Sequence, residues 1–214
     1  MAKSSTSLHL TPRFTQAIEY ARITHVNCRK ATAVPYMAHL LGVASLVMGE
    51  NGHVEFPVTE DMAIAALLHD AVEDGGGMPR LGDIEANFGP DVRRIVRGCS
   101  DSLVEDSGQK LEWKERKSAY IKRLPEENLD TLLVSMADKL YNARAILEDY
   151  RQEGARLWNR FKRGRDDQLW YFDELIRVYE ERCSDWRMLD ELKRVAEEMI
   201  TESAALILGP SSSL

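Results

Sequence analysis

An all-α fold is predicted for this 214-residue chain by three observations. Apolar residues recur at intervals of three and four along most long segments, while alternating, strand-like runs are hard to find. Helix-opening signals stand in front of several of those segments, and glycine or proline breakers separate them. Thr11-Pro12 pairs a capping hydroxyl with proline at a first helical position, and the stretch it opens carries Phe14, Ile18, Ala21 and Val26. A second helix is expected over residues 36–48, ending near Gly49. Thr59, followed by Glu60 and Asp61, opens a third, because threonine caps and acids suit a helix N-terminus. Its run Ala63-Ile-Ala-Ala-Leu-Leu68 is apolar on every side, which assigns it to the interior, and Gly75-Gly76-Gly77 is expected to stop it.

Short helices over residues 81–88 and 90–98 follow, punctuated by Gly89-Pro90, and the polar segment 100–110 reads as a loop. Residues 111–124 and 129–150 read as two further helices separated by Pro125. The segment 157–179 is rich in aromatics, and Trp158, Phe161, Trp170, Tyr171 and Phe172 are expected to pack helices rather than stack on a ligand. A last helix over 185–206 and a loose tail, 207–214, complete the chain. No internal repeat or long linker divides it, so a single domain of about nine or ten helices is expected over 1–214.

Lys plus Arg is 28 and Asp plus Glu is 35, and the net charge of -7 argues against a general nucleic-acid or anionic-membrane binder. No apolar run approaches the roughly 20 residues of a membrane-spanning helix. The N-terminal residues lack the apolar core of a secretory signal. Cys28, Cys99 and Cys183 lie far apart, as free thiols of a cytoplasmic protein would. A chain of this length folds without a structural metal, so any metal is expected to serve function. The sequence leaves a homo-oligomer open.

The candidate chemistry centres on His69-Asp70, at the end of the buried third helix. Glu73 and Asp74 follow, each four residues after one member of that pair, so a continuing helix would bring both pairs to one face. Three carboxylates gathered at a helix C-terminus meet an already negative dipole end, at a cost of roughly 0.3 to 1 kcal/mol each that a bound cation would offset. His39 and Asp138 each interrupt an apolar helical stretch elsewhere. Alone, His39 reads as a hydrogen-bonded core histidine and Asp138 as half of a buried ion pair with Lys139 or an arginine. Taken with His69-Asp70, a shared metal is the better reading, and imidazole plus carboxylate suits Mn, Fe, Co, Ni or Zn.

The pattern His39, His69-Asp70, Asp138 resembles that of HD-domain metal-dependent phosphohydrolases. The strings Pro35-Tyr36-Met-Ala-His39, Ala66-Leu-Leu-His69-Asp70-Ala-Val-Glu73-Asp74, Phe88-Gly89-Pro-Asp-Val92 and Ala137-Asp138-Lys-Leu-Tyr141-Asn142-Ala-Arg144 are similar to the (p)ppGpp hydrolase branch. That branch comprises the hydrolase domain of RelA/SpoT proteins and the stand-alone small alarmone hydrolases. The resemblance spans residues 21–147 and implies an all-α HD fold. It implies one divalent metal, usually Mn²⁺, held by His39, His69, Asp70 and Asp138. It also implies a catalytic pair, Glu73 and Asp74, and a nucleotide contact from Asn142. The implied activity is release of the 3′-pyrophosphate of (p)ppGpp as pyrophosphate, leaving GDP or GTP.

Arg29-Lys30 resembles the family's base-flanking Arg-Lys element. Here four residues, Ala31 to Val34, separate it from Pro35-Tyr36, and the family's usual glycine is absent. An adenine alarmone, NADPH or another nucleoside phosphate is therefore the alternative substrate, and an idle nucleotide-binding module the non-enzyme alternative. Where multidomain members generally carry a Thr-Lys pair, this chain has Cys99-Ser100-Asp101. Lys110, Lys114, Arg116 and Lys117 follow. A basic stretch at this place faces the substrate in stand-alone relatives, so the resemblance implies that Lys110 and Lys117 do so here, with a solvated helix face shared with Glu112 and Glu115 as the alternative. Between Arg144 and Arg165 seven basic residues outnumber three acids, a surface patch in an acidic chain.

Overall fold

In a computed structural model of the protein, residues 7–74, 76–101 and 112–208 are described. Among them the chain forms ten α-helices and two 3-10 segments, with one isolated antiparallel bridge between Cys28 and Pro35. The predicted all-α class is what the structure has. The expected loop 100–110, apart from Ser100 and Asp101, and the tail beyond Leu208 lie outside the described residues, as does Lys110.

The first compact unit ends at Asp138. It holds α1 (Pro12–Thr24), α2 (Tyr36–Gly49), α3 (Glu60–Leu68), α4 (Ala71–Asp74), α5 (Gly77–Phe88), α6 (Pro90–Cys99), α7 (Trp113–Arg123) and the start of α8 (Leu129–Glu153). α3 is the centre: it packs against α1, α2 and α6, and every residue from Met62 to Leu68 is buried. An apolar circumference can be satisfied only there. Thr59 caps α3 through the Met62 N–H, and Thr11 caps α1 through the Arg13 N–H, as their sequences predict. Arg13 then reaches Glu60 and Asp61 at 3.2 and 2.8 Å, tying the two helix starts together. Val26 departs from expectation: α1 ends at Thr24, and Val26 is 79% exposed beyond it.

Gly89 joins α5 to α6 at φ +93°, a conformation that favours glycine, and Pro90 opens α6. The C-terminal carbonyls of α6 are satisfied by α7. The Arg123 guanidinium donates to the Gly98 and Ser100 oxygens at 3.1 and 2.8 Å.

The second unit begins at Lys139 and contains the rest of α8, a 3-10 segment (Gly154–Arg160), α9 (Gly164–Cys183) and α10 (Arg187–Leu208). Its aromatics pack as expected: Trp158 meets Tyr150 and Phe161, and Tyr171, Phe172 and Tyr179 are buried along α9. The basic segment is neutralised in part. Arg144 pairs with Glu191, Arg151 with Glu198 and Glu202, and Arg160 with Asp149 and Glu153. No helix among the described residues is long and apolar enough to cross a membrane.

Candidate metal centre

Four donor side chains converge in the first unit. His39 comes from the first turn of α2, His69 caps the end of α3, Asp70 follows it, and Asp138 comes from α8. One ligand-type atom from each lies within 4.8 Å of all the others. His39 Nε2 is 3.4 Å from Asp70 Oδ2 and 3.3 Å from Asp138 Oδ1. His69 Nε2 is 3.0 and 3.4 Å from the same two oxygens. The two Nε2 atoms are 3.2 Å apart.

These separations fit a shared ion. Bonds of about 2.1 Å to one metal put neighbouring donors about 3.0 Å apart in an octahedron and about 3.4 Å apart in a tetrahedron. The tautomer fits as well. His69 Nδ1 lies 2.8 Å from the Ala66 carbonyl, and donation there leaves the Nε2 lone pair aimed at the cluster. Burial disfavours a charged His69, but Asp70 and Asp138 beside it outweigh burial and hold its pKa well above the ordinary histidine value. Burial would raise Asp70 likewise, yet His69 and the hydrogen bonds from both imidazoles hold it well below the usual carboxylate range. The carboxylates beside both Nε2 atoms thus make a donor set that suits a divalent cation, whose binding would compete with protonation of His69.

The expectation of one helix running from α3 into the glycines is corrected. His69 and Asp70 form a turn, and α4 is a separate short helix. The imidazole of His69 competes for the Ala66 carbonyl that the Asp70 N–H would use in a continuing helix. The Glu73 N–H instead bonds the Asp70 carbonyl at 3.1 Å. Glu73 and Asp74 thus ride on α4 rather than on the face of α3. The glycines therefore do not end α3, which stops at Leu68, and α5 begins at Gly77.

Glu73 has partners that sequence reasoning missed. Its Oε1 accepts the Asp101 backbone N–H at 2.7 Å and the Ser100 hydroxyl at 3.4 Å. Burial, followed by the charges of Asp101 and Asp70, pushes its pKa up to about 7 against the opposing pull of Lys117. Asp101 is gripped by Arg116 at 2.5 Å and Lys117 at 2.6 Å. Lys117 therefore stands in an ion pair behind Glu73.

Of the other candidate residues, Arg29 and Lys30 lie between α1 and α2, Arg29 half-buried and Lys30 exposed. The Arg29 guanidinium sits over the Tyr36 ring at 5.6 Å. Asn142 is half-buried on α8, four residues beyond Asp138, and belongs to the second unit. Tyr36 also went unassigned: its hydroxyl donates to Asp70 Oδ2 at 2.7 Å. Its position three residues before His39 on one helix was the available signal.

The fold and site define an all-α protein with a largely buried His₂Asp₂ cluster whose donor set suits a divalent cation. Residues 17–169 match the HD domain family, and the chain belongs to it. The human guanosine-3′,5′-bis(diphosphate) 3′-pyrophosphohydrolase MESH1 is 34% identical over 133 residues, covering 61% of this chain and 68% of that protein. MESH1 of Drosophila melanogaster is 33% identical over 137 residues, covering 63% and 69%. Among solved structures, a metazoan SpoT ortholog described as hydrolysing ppGpp shares the fold. Its TM-score is 0.68 at 24% identity, covering 90% of this chain and 98% of that one. The protein lmo0812 of Listeria monocytogenes EGD-e gives a TM-score of 0.62 at 31% identity, covering 76% and 99%.

Proposed function

We propose that the protein is a metal-dependent phosphohydrolase that removes the 3′-pyrophosphate of (p)ppGpp, yielding GDP or GTP and pyrophosphate. The observation that carries this reading is the convergence of His39, His69, Asp70 and Asp138 within 4.8 Å, with the high-pKa acid Glu73 three residues along. The relatives' named activity supplies the substrate. The donor set holds one divalent cation, and Mn²⁺ suits its mixed nitrogen and oxygen character. When bound, such a cation makes water a nucleophile near neutral pH and screens charge on phosphoryl oxygens.

The chain's own groups supply the rest. Glu73, held through Oε1 by Asp101 and Ser100 and with a pKa near neutrality, accepts a proton from the attacking water. The water oxygen bonds to phosphorus as the bond from that phosphorus to the ribose 3′-oxygen breaks. Asp74, the next acid on α4, assists transfer of a proton to the leaving oxygen. The family resemblance assigns nucleotide contacts to Arg29, Lys30 and Asn142 and phosphate contacts to Lys110 and Lys117, of which Lys117 would have to exchange its ion pair with Asp101 for the substrate. We read the chain as one domain, supported by α8 running unbroken through Asp138 and by a family match spanning 17–169. Its three free thiols support a cytoplasmic setting.

Purified protein loaded with Mn²⁺ and given ppGpp should release pyrophosphate, and Asp70→Ala should abolish release. A wild type inactive on ppGpp but active on an adenine alarmone or NADPH would transfer the reading to that substrate. The four-residue connection from Lys30 to Pro35 is the feature that motivates including those nucleotides.

A further inference from the structure

The geometry points to Tyr36 as a positioning residue for the metal centre, its hydroxyl fixing the Asp70 carboxylate in ligand orientation. The inference rests on the divalent-metal reading of the His₂Asp₂ cluster and concerns a residue outside it. Tyr36 is the first residue of α2, one turn before His39, so hydroxyl and imidazole reach the same region from one helix face. The hydroxyl lies 2.7 Å from Asp70 Oδ2, the same oxygen that stands 3.0 Å from His69 Nε2 and 3.4 Å from His39 Nε2. Asp70 has the most exposed side chain of the four, 19% against 7% or less for the others. It is the ligand with least packing to hold its rotamer, and it receives this hydrogen bond.

The ring that carries the hydroxyl is itself fixed. His25, buried, stacks parallel to it with centroids 5.1 Å apart and planes 9° apart. The His39 ring meets it edge-on at 5.6 Å, and the Arg29 guanidinium lies over it. The backbone leading into it is pinned too. The Tyr36 N–H donates to the Asn27 carbonyl at 3.0 Å, and the Arg29 N–H to the Val34 carbonyl at 2.8 Å. A donor so constrained orients a carboxylate before any ion arrives, and loss of such an outer partner typically weakens metal binding about 10–100-fold.

The test is Tyr36→Phe, which keeps the ring and its stack and removes one oxygen. Mn²⁺ affinity is measured by calorimetry on chelator-stripped wild type and variant, and both are melted without metal. The expected result is about a 10–100-fold rise in Kd for Mn²⁺ with a metal-free melting temperature close to wild type. Equal Kd values overturn the positioning role while leaving the metal reading intact. A wild type that binds no Mn²⁺ removes both. If the variant melts early, His25→Ala, which disturbs the ring but spares the hydroxyl, is the second probe: unchanged Mn²⁺ affinity there overturns the inference, and weakened affinity upholds it.

Discussion

His39 Nε2 and His69 Nε2 stand 3.2 Å apart inside the protein, each with Asp70 and Asp138 oxygens within 3.4 Å. Two imidazole nitrogens facing each other so closely share either a proton or an ion. Removing one anionic ligand by Asp138→Asn should weaken Mn²⁺ binding by at least about 100-fold. Mn²⁺ at a hundred times its Kd should stabilise the wild type by about 2.7 kcal/mol and the variant by much less. Chemical denaturation with and without metal reads both values.

The same cluster predicts a direction with pH. Because Asp70 and Asp138 hold the His69 pKa well above its ordinary value despite burial, the cation competes with a proton there. Affinity should therefore fall as the solution is acidified, with protons released on binding. Calorimetry in buffers of different ionisation enthalpy counts those protons, and buffer-independent heats would count against the assignment.

Glu73→Gln should lower kcat about 10²–10⁴-fold while leaving Mn²⁺ affinity near wild type. In the metal-free protein its pKa is raised from 4.5 to about 7, so between these values the native state holds a proton the unfolded chain has lost. Stability should decline as pH rises through that window. The glutamine variant should lose that part of the slope, as urea melts at several pH values will report.

Asp130 receives a two-pronged contact from Arg94, Nη1 to Oδ1 at 3.0 Å and Nη2 to Oδ2 at 2.6 Å. Burial would raise its pKa, but the Arg94 contacts and the Thr131 N–H lower it. Its contribution is present above the ordinary value of 3.8 and is lost as pH falls through the native pKa. The pair is partly solvated, so Asp130→Asn should cost no more than about 1 kcal/mol near neutral pH. The cost should vanish in acid.

Gly98 lets α6 approach α8. A Cβ there would lie 2.5 Å from Thr131 Cγ2 and 2.8 Å from Glu127 Oε2. The glutamate can swing aside, whereas buried Thr131 cannot readily do so. Gly98→Ala should destabilise by about 1–3 kcal/mol in denaturant titrations.

Much of this was legible in the sequence because it rests on local chemistry. Thr11, Thr59 and Pro90 mark helix starts by capping and fixed φ, and the apolar circumference of α3 dictates its central place. The quartet was legible because His39 and Asp138 are polar residues in apolar helices, which burial makes costly without a partner. What escaped depends on contacts between distant segments. The turn at His69-Asp70 arises when an imidazole competes for a backbone carbonyl, and helical spacing does not encode that competition. The grip of Asp101 on Glu73 joins residues 28 positions apart through a backbone N–H, which every residue but proline has. The ion pair of Lys117 with Asp101 is likewise not legible in the sequence, because the two lie 16 residues apart across a polar segment with no periodicity to join them.

The side chains of His39, His69 and Asp138 are 0, 2 and 7% exposed, and only Asp70 reaches 19%. Among the four, the side of Asp70 is the one that meets solvent, so burial of the other three donors would slow exchange of an ion held there and make its retention kinetic as well as thermodynamic. Protein purified without added metal should keep its native cation through gel filtration and yield it to EDTA only slowly. Elemental analysis of untreated protein would then identify the ion the cell supplies.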